Sequence, residues 1–288
     1  MKKFELTTEF ITNMFGTKLF RIKALVEFGD VKAGELGGYV EKEENVSQDG
    51  NAWVSGDARV SGDAKVSDNA RVSGDAKVSD NAKVFDNAWV SDNAWVSGDA
   101  WVSDNAWVFG DARVSGDARV SDNARVFDNA RVSGDARVSG DAKVSGDAKV
   151  FDNAWVSDNA WVSGDAWVFD NARVFDNARV SDNARVFDNA RVSGDAKVSG
   201  DAWVSGDAEV SGNADCALVQ GFGTEFRCTT FYRGKNKKIM VNCGCFHGDL
   251  EAFREQVKET RSGKIAKEYL MIADLMEYHF ANEDSGDE

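Results

Sequence analysis

Residues 112–123 read ARVSGDARVSDN, and this pair of six-residue units decides the fold. The unit, Ala-x-Val-(Ser/Phe) followed by Gly-Asp or Asp-Asn, runs from Ala52 to Asn213 without an insertion. Valine therefore stands at every sixth position from Val54 to Val210, which makes 27 units. A strict short period predicts a solenoid, in which each coil buries its apolar side only against neighbouring coils.

Each unit alternates as a short strand requires. Val points to one side, and the residues before and after it point to the other. Ala lies two residues before Val on the buried side, and Gly-Asp or Asp-Asn closes a tight turn because these residues tolerate positive φ. The pattern predicts short strands separated by turns, with Val inside and the residue before it exposed.

The unit resembles the hexapeptide repeat of left-handed parallel β-helices, in which an aliphatic residue is followed four positions later by a small one, here Val54 and Ala58. That resemblance implies triangular coils of three units, so the 27 units would make about nine coils. The predicted fold class is an all-β solenoid, a left-handed parallel β-helix with an N-terminal β cap and a small C-terminal α+β domain.

A second resemblance begins ahead of the repeat. The stretch DVKAGELGGYV at residues 30–40, continuing to NVSQDGNAWV at residues 45–54, is similar to the N-terminal segment of YdcK-like bacterial and prophage hexapeptide-repeat proteins. With the repeat, the resemblance covers about residues 18–213. It implies the β-helix fold and no catalytic residues, because that family has no well-defined activity.

Composition changes mark the ends of the repeat, where an open solenoid needs caps. In the C-terminal part we expect a hairpin, a first helix capped by Asp249 and a second helix from about Lys264. The predicted domains are an N-terminal cap (1–45), the β-helix (46–215), the α+β domain (216–281) and an acidic tail (282–288).

Charge and hydropathy exclude several classes of protein. The net charge of −15 disfavours nonspecific binding to nucleic acid or to an anionic membrane. No run approaches the roughly 18 apolar residues of a membrane helix, and the first residues lack the apolar core of a signal peptide. We therefore expect a cytoplasmic protein whose four cysteines are reduced thiols.

Aromatic side chains at the outward positions are the candidate binding residues. All nine Trp residues stand immediately before a Val, and Phe replaces Ser after Val in seven units. Either these rings cover the strand surface and stack beside Arg, or they form an oligomer contact or ligand band. The candidates are two Trp collars, Trp89, Trp95, Trp101 and Trp107, then Trp155, Trp161 and Trp167, and a ladder of Phe151, Phe169 and Phe187.

Chemistry-bearing residues cluster only in the C-terminal part. Cys243, Cys245 and His247 alternate, so one strand would place them on one face, and hairpin pairing would bring Cys228 near. Three thiolates and an imidazole can bind zinc. Against zinc, the Cys-x2-Cys knuckle is missing, and Cys is commonly a buried apolar residue. A structural core and a reactive thiol are the other two readings.

The leading hypothesis is a non-enzymatic structural or binding protein without a cofactor. It would present its aromatic and charged rows to a protein or small-molecule partner, or to another copy of itself. The alternative is an acyltransferase-like enzyme acting at a subunit interface, but the two histidines, His247 and His279, lie outside the repeat and no loop interrupts it. A third hypothesis, resting on family context, is a prophage factor that occupies a host protein or captures a host molecule.

Overall fold

The computed structural model describes residues 2–224, 226–234 and 237–281. The chain divides into two compact units, Met1–Asn159 and Ala160–Glu288. The predicted acidic tail, residues 282–288, lies outside the described residues.

Parallel two-residue strands make up most of the first unit. Each strand is a Val with the residue before it, from Trp53–Val54 to Trp155–Val156. Within this unit, strands three apart in the sequence pair in parallel, as Arg113–Val114 does with Arg131–Val132. The strands form three sheets, which run from Val60 to Val150, from Val54 to Val144 and from Val66 to Val156. Coils of three repeat units are therefore confirmed, whereas the left hand stays a prediction.

Backbone hydrogen bonds and identical buried side chains hold the coils together. The Trp95 N–H donates to the Ala112 carbonyl and the Ser97 N–H to the Val114 carbonyl, both at 2.9 Å. Every Val and Ala of the repeat between residues 52 and 210 is at most 2% exposed. The Val side chains face inward as the alternation predicts.

The turns explain why Gly and Asp alternate at one position. The first turn residue has a left-handed backbone whether it is Gly, as at Gly116 with φ +68°, or Asp, as at Asp122 with φ +59°. That conformation favours Gly because it has no Cβ. Asp offsets part of its conformational cost with a hydrogen bond, since the Asp122 carboxylate accepts from the Gly140 N–H at 3.1 Å, one coil later.

The second turn residue builds a side-chain ladder on one corner of the first unit. Each Asn side-chain amide donates to the carbonyl oxygen of the equivalent Asn one coil later, at 2.9–3.4 Å. The ladder comprises Asn51, Asn69, Asn87, Asn105 and Asn123. The corners are thus tied between coils by side chains as well as by backbone.

An antiparallel hairpin closes the start of the first unit. Its strands Phe4–Thr12 and Lys18–Ala24 continue into Leu36–Val40, which pairs in parallel with Arg59–Val60. Parallel pairing therefore begins with the strand Leu36–Val40, before residue 46, where the β-helix was predicted to start. A short 3-10 helix, Glu43–Asn45, follows.

Two features let this cap approach the first coil closely. A Cβ on Gly37 would lie 2.6 Å from the Val54 carbonyl oxygen, so a side chain at that position would collide with the backbone. The buried Lys3 ammonium donates to the Ala52 carbonyl at 3.0 Å. Burial lowers the pKa of Lys3 to about 8. The Lys3 ammonium thereby supplies a hydrogen-bond donor to a backbone carbonyl at the open edge of the first coil.

The second unit begins with the same kind of solenoid strand. Nine Val-containing pairs, from Trp161–Val162 to Glu209–Val210, form three parallel sheets with the same offset of one coil between paired strands. A 3-10 helix, Asn213–Asp215, ends this part.

A small α+β domain follows within the second unit. Its antiparallel sheet has the strand order Cys216–Phe222, Arg227–Arg233, Ile239–Cys243 and Phe246–Asp249. Two helices, α1 (Leu250–Thr260) and α2 (Gly263–Ala281), pack on one face of the sheet. The predicted hairpin is confirmed, and so is the first helix cap, where Asp249 accepts from the Ala252 N–H at 2.9 Å. The first and last strands of the sheet were not predicted.

The other face of this sheet closes the end of the solenoid. Trp203 lies in the last coil, where its backbone groups have no further coil to bond. Its N–H donates to Thr230 Oγ1 at 3.0 Å, and its carbonyl accepts from Asn242 Nδ2 at 2.9 Å. Two side chains of the α+β domain therefore replace the missing backbone ladder.

The burial of the Val row gives a direct test of the fold. Changing Val132→Asp would place an unpaired carboxylate in the interior, so we expect the free energy of unfolding to fall by more than about 4 kcal/mol. Denaturation in urea, followed by circular dichroism, measures the change. Ser133→Asp is the matched control, because it adds the same charge on the outward side and should change stability little. A wild-type unfolding curve for Val132→Asp would contradict an interior Val row.

The left-handed turn position gives a second test. Asp122→Ala and Asp122→Gly remove the same charge and the same hydrogen bond, but only Ala keeps a Cβ at positive φ. We expect the Ala variant to unfold at lower urea, by a difference of about 1 kcal/mol. Equal stabilities would mean that backbone strain does not limit the residues allowed here.

Candidate functional site

Most Trp side chains reach the surface of the solenoid, as the alternation predicts. Seven are 37–41% exposed: Trp89, Trp95, Trp101, Trp107, Trp155, Trp161 and Trp203. Trp53 contradicts the expected exposure and is only 3% exposed. The rings of Phe4 and Phe28, at 6.3 and 5.4 Å, cover it, because the N-terminal hairpin folds over the first coil.

The exposed indoles are held in place by neighbours one coil away. Trp101 lies between Lys83 and Arg119, whose charged groups are 4.7 and 5.2 Å from its ring centroid. The Trp89 indole N–H donates to Ser73 Oγ at 3.0 Å. Lys and Arg side chains therefore lie over the Trp rings, as one of the two interpretations of the sequence expects. A substantial part of each of the seven indoles nevertheless remains accessible.

The first collar runs around the three sheets of the first unit, and its first and last members share one sheet. Trp89 and Trp107, which stand in register in adjacent coils, contact each other at 5.4 Å on one sheet. Trp95 lies on a second sheet and Trp101 on the third. The predicted second collar is divided between the two units, with Trp155 in the first and Trp161 and Trp167 in the second.

One cluster of rings was not singled out from the sequence. Trp107 contacts Phe109 at 6.5 Å, and Phe109 stacks on Phe127 at 5.1 Å with planes 2° apart. With Trp89 they form a continuous cluster on one sheet of the first unit, which we call the aromatic patch. The sequence does contain a signal for this cluster. Trp107 and Phe109 stand on either side of one Val, so both face outward, and Phe127 follows Phe109 by one coil of 18 residues.

Two members of the predicted Phe ladder stack on each other in the second unit. Phe169 and Phe187 stack at 5.0 Å with planes 4° apart, and Phe187 meets Trp203 edge-on at 6.4 Å. Phe151 belongs to the first unit and is half-buried there.

A cleft lies in the second unit where the last coils meet the α+β domain. Its volume is about 360 Å³. We call it the terminal cleft; its walls include Arg185, Asp201, Trp203, Gln220, Cys228 and Thr230. The solenoid supplies the charged and aromatic residues, and the α+β sheet supplies the facing wall.

A second cavity of about 520 Å³ lies on another sheet of the second unit. Arg191, Arg233 and Glu209 are among its walls. Arg233 pairs with Asp215 at 2.9 Å, and both side chains are largely buried. That ion pair joins the last turn of the solenoid to the α+β sheet.

The four predicted zinc ligands are not brought together. One strand was expected to carry Cys243, Cys245 and His247 on one face, which is wrong, because the strand ends at Cys243 and a turn follows. Cys243 pairs with Phe246 on the helix-covered face, whereas His247 pairs with Asn242 on the opposite face. Cys245 lies exposed in the turn.

The remaining candidate, Cys228, lines the terminal cleft and is separated from Cys243 by the alternation of its strand. Among the residues that the structure describes, no three His, Cys, Asp or Glu side chains are grouped to hold a metal ion. Burial raises the pKa of Cys228 to about 11 and that of Cys216 to about 12. Both thiols are therefore protonated at neutral pH.

A polar network surrounds His247 at the end of the solenoid. Its Nδ1 donates to Asn242 Oδ1 at 2.6 Å, and Ser205 Oγ and the Tyr232 hydroxyl lie 3.4 Å from the same nitrogen. Ser205 and Tyr232 are buried. The network positions the amide of Asn242, which caps Trp203.

These features define the class, a β-solenoid repeat protein with a small C-terminal α+β domain. Its repeats match the family described as the YdcK β-solenoid repeat over residues 112–146 and 172–206. The resemblance to YdcK-like repeats is thereby confirmed. No curated protein matches the chain.

Neither α1 nor α2 is long and apolar enough to cross a membrane, and the same holds for any helix in the described part of the chain.

The half-buried thiols of Cys216 and Cys228 give a test of this geometry. Near neutral pH we expect iodoacetamide to modify the exposed Cys245 first and to leave Cys216 and Cys228 largely unmodified, because the thiolate is the nucleophile. Peptide mass spectrometry over time measures the rates. In denaturant, where burial is lost, all the thiols should react at similar rates. Rapid modification of Cys228 in the folded protein would contradict the placement of its thiol.

Proposed function

We propose that this protein is a non-enzymatic β-solenoid binding protein that presents aromatic and basic side chains to a protein partner. The observation that carries the proposal is the aromatic patch, in which four rings touch in series on one open sheet of the first unit.

The patch has the composition of a protein interface. Trp89 and Trp107 remain 40% exposed although their rings contact each other. Arg125 lies over Trp107 at 5.2 Å. Trp, Phe and Arg are enriched where binding energy concentrates, and a contiguous apolar patch rimmed by polar groups marks an interaction surface.

The form of the surface favours a protein over a small molecule. The repeat carries no insertion between residues 53 and 159, so its outward face is a regular sheet without a projecting loop. Small ligands bind in concave sites, whereas a sheet face suits an extended partner surface. The net charge of −15 argues against a nucleic acid.

The outward row of this sheet supports a partner with carboxylates around an apolar centre. Before each Val, that row carries only Trp, Arg or Lys in the first unit. Arg71 and Arg125 flank the two indoles in register. Because Arg71 is already paired with Asp30, Arg125 is the flanking cation that remains for a partner carboxylate. Opposite charges around an apolar centre would orient the partner and speed association.

The non-enzymatic part of the proposal rests on where the histidines lie. His247 is hydrogen-bonded to Asn242, and His279 packs on Phe280 at 5.1 Å. Neither histidine lines the terminal cleft or the cavity beside Arg191. The contacts of His247 are those of a structural residue, and His279 lies exposed on α2. Both placements support a binding role over acyl transfer.

The patch can be removed with residues that the repeat already uses. We define the patch variant as Trp89→Arg, Trp107→Arg, Phe109→Ser and Phe127→Ser. Other units carry these residues at the same positions, so the fold should be kept. We expect the patch variant to lose at least about tenfold in affinity for the partner, as truncation of a central aromatic anchor does.

The control variant is Trp101→Arg with Phe85→Ser, which removes a ring pair of 5.8 Å from another sheet of the same unit. Cross-linking with quantitative mass spectrometry would identify proteins bound by wild type and by the control variant but lost from the patch variant. Light scattering on each protein distinguishes a second copy as the occupant. Equal binding and equal mass for all three proteins would refute the proposal.

The predicted Phe ladder is tested in the same assay by Phe151→Ser, Phe169→Ser and Phe187→Ser together. Loss of a partner from this variant alone would move the interface from the aromatic patch to the ladder.

A further inference from the structure

We propose that the terminal cleft binds a sugar acid, a pyranose ring that carries one carboxylate. This site is separate from the aromatic patch and does not depend on the protein partner proposed above.

Arg185 supplies a group prepared for a carboxylate. Its guanidinium is stacked between the indoles of Trp167 and Trp203, at 5.1 and 4.9 Å from their centroids. Among the described residues, its side chain makes no hydrogen bond or ion pair. The two rings hold the guanidinium between them, and its N–H groups can bind the two oxygens of a carboxylate.

Trp203 supplies a second donor, because its indole lacks the Ser acceptor that several other indoles of the repeat have. Trp101, which stands 16 residues after Phe85, shares this feature. Trp95 and Trp155 donate their indole N–H to a Ser 16 residues earlier. The residue 16 positions before Trp203 is Phe187, which has no acceptor. Within the described residues the indole N–H of Trp203 is therefore left for solvent or a ligand.

Hydrogen bonds fix the backbone of Trp203, so its indole is held in place as a surface on which a ligand can pack. Its N–H and carbonyl are bonded by Thr230 and Asn242. The C–H face of a pyranose packs on an indole, because both surfaces are apolar there. The neutral Cys228 thiol adds apolar surface beside it.

Polar groups on the walls suit hydroxyls rather than a second negative charge. The exposed Gln220 amide makes no hydrogen bond among the described residues, so it is available as donor and acceptor. Asp201 accepts from Asn183 at 3.0 Å and keeps further oxygen lone pairs for hydroxyl donors. The Asp201 carboxylate repels any anion, and it repels a phosphate dianion more strongly than a single carboxylate. A ligand that offers one carboxylate to Arg185 and several hydroxyls to the other walls therefore fits better than phosphate.

The size of the cleft agrees with this ligand. About 360 Å³ lies at the lower end of ligand-binding pockets, which suits a single ring. The cleft is open on one side, so the ring can be either a free sugar acid or the end of a chain. The shared chemistry is the carboxylated ring.

Isothermal titration of the full chain with galacturonate, glucose and inorganic phosphate tests the proposal. We expect saturable binding of galacturonate below about 10 mM, with glucose and phosphate at least about tenfold weaker. An oligogalacturonide distinguishes the two sources of the ligand, because tighter binding than the monomer would indicate a chain end.

Matched variants locate the site. Arg185→Lys should weaken galacturonate binding by about tenfold or more, because an ammonium cannot reproduce the bidentate edge. Arg113→Lys is the control, since Arg113 stacks on Trp95 in the first unit in a similar way, at 5.9 Å. It should bind like wild type, and both variants should keep the wild-type melting curve.

Three results would overturn the inference. The first is the absence of saturable galacturonate binding at concentrations up to about 10 mM. The second is phosphate or glucose binding as tightly as galacturonate. The third is equal galacturonate affinity in Arg185→Lys, Arg113→Lys and wild type.

Discussion

The backbone ladder between each strand and its equivalent in the next coil is the interaction on which the structure depends. Each strand has only two residues, so none is stable alone. Its N–H and C=O groups are satisfied by adjacent coils, and its Val is buried only because another Val lies above and below it. This mutual dependence explains why the repeat is uniform inside, since a larger or smaller side chain would disturb two neighbouring coils at once. It also makes the ends costly, because an unpaired backbone group loses its partner.

Side chains form hydrogen bonds with the unpaired backbone groups at both ends of the solenoid. In the first unit, the buried Asn45 amide donates to the Gly62 and Ala64 carbonyls, while Lys3 serves the Ala52 carbonyl. In the second unit, Thr230 and Asn242 bond the exposed backbone of Trp203. The α+β domain therefore acts first as a cap, and the terminal cleft arises beside the contacts that make it one. A capping domain placed against a row of Trp and Arg creates a concave site that the repeat alone does not offer.

The outward positions are freed by the same ladder. Since backbone bonds and Val hold the coils, the residues before and after Val can change between Arg, Lys, Trp, Ser and Phe without altering the fold. Acidic corners are tolerated for a related reason, because turn carboxylates such as that of Asp80 accept backbone N–H groups of the next coil, here from Gly98 at 3.0 Å. The outward residues can therefore be adapted to a binding partner without loss of stability. The roles proposed for the aromatic patch and the terminal cleft rest on this independence.

The six-residue period was sufficient to predict the solenoid, the inward Val and Ala rows and the turns, because one short period repeated 27 times allows a single pattern of burial. The coil of three units came from the resemblance to hexapeptide-repeat β-helices. The sequence by itself also determined the hairpin and both helices of the α+β domain, whose apolar spacing and Asp249 cap are local signals. Three features could not be predicted from the period: Trp53 is buried, the Cys and His residues are divided between two faces of a sheet, and Arg185 faces a cleft. These depend on how the hairpin and the α+β sheet fold onto the coils, and such contacts join residues far apart in the chain that no local periodicity relates.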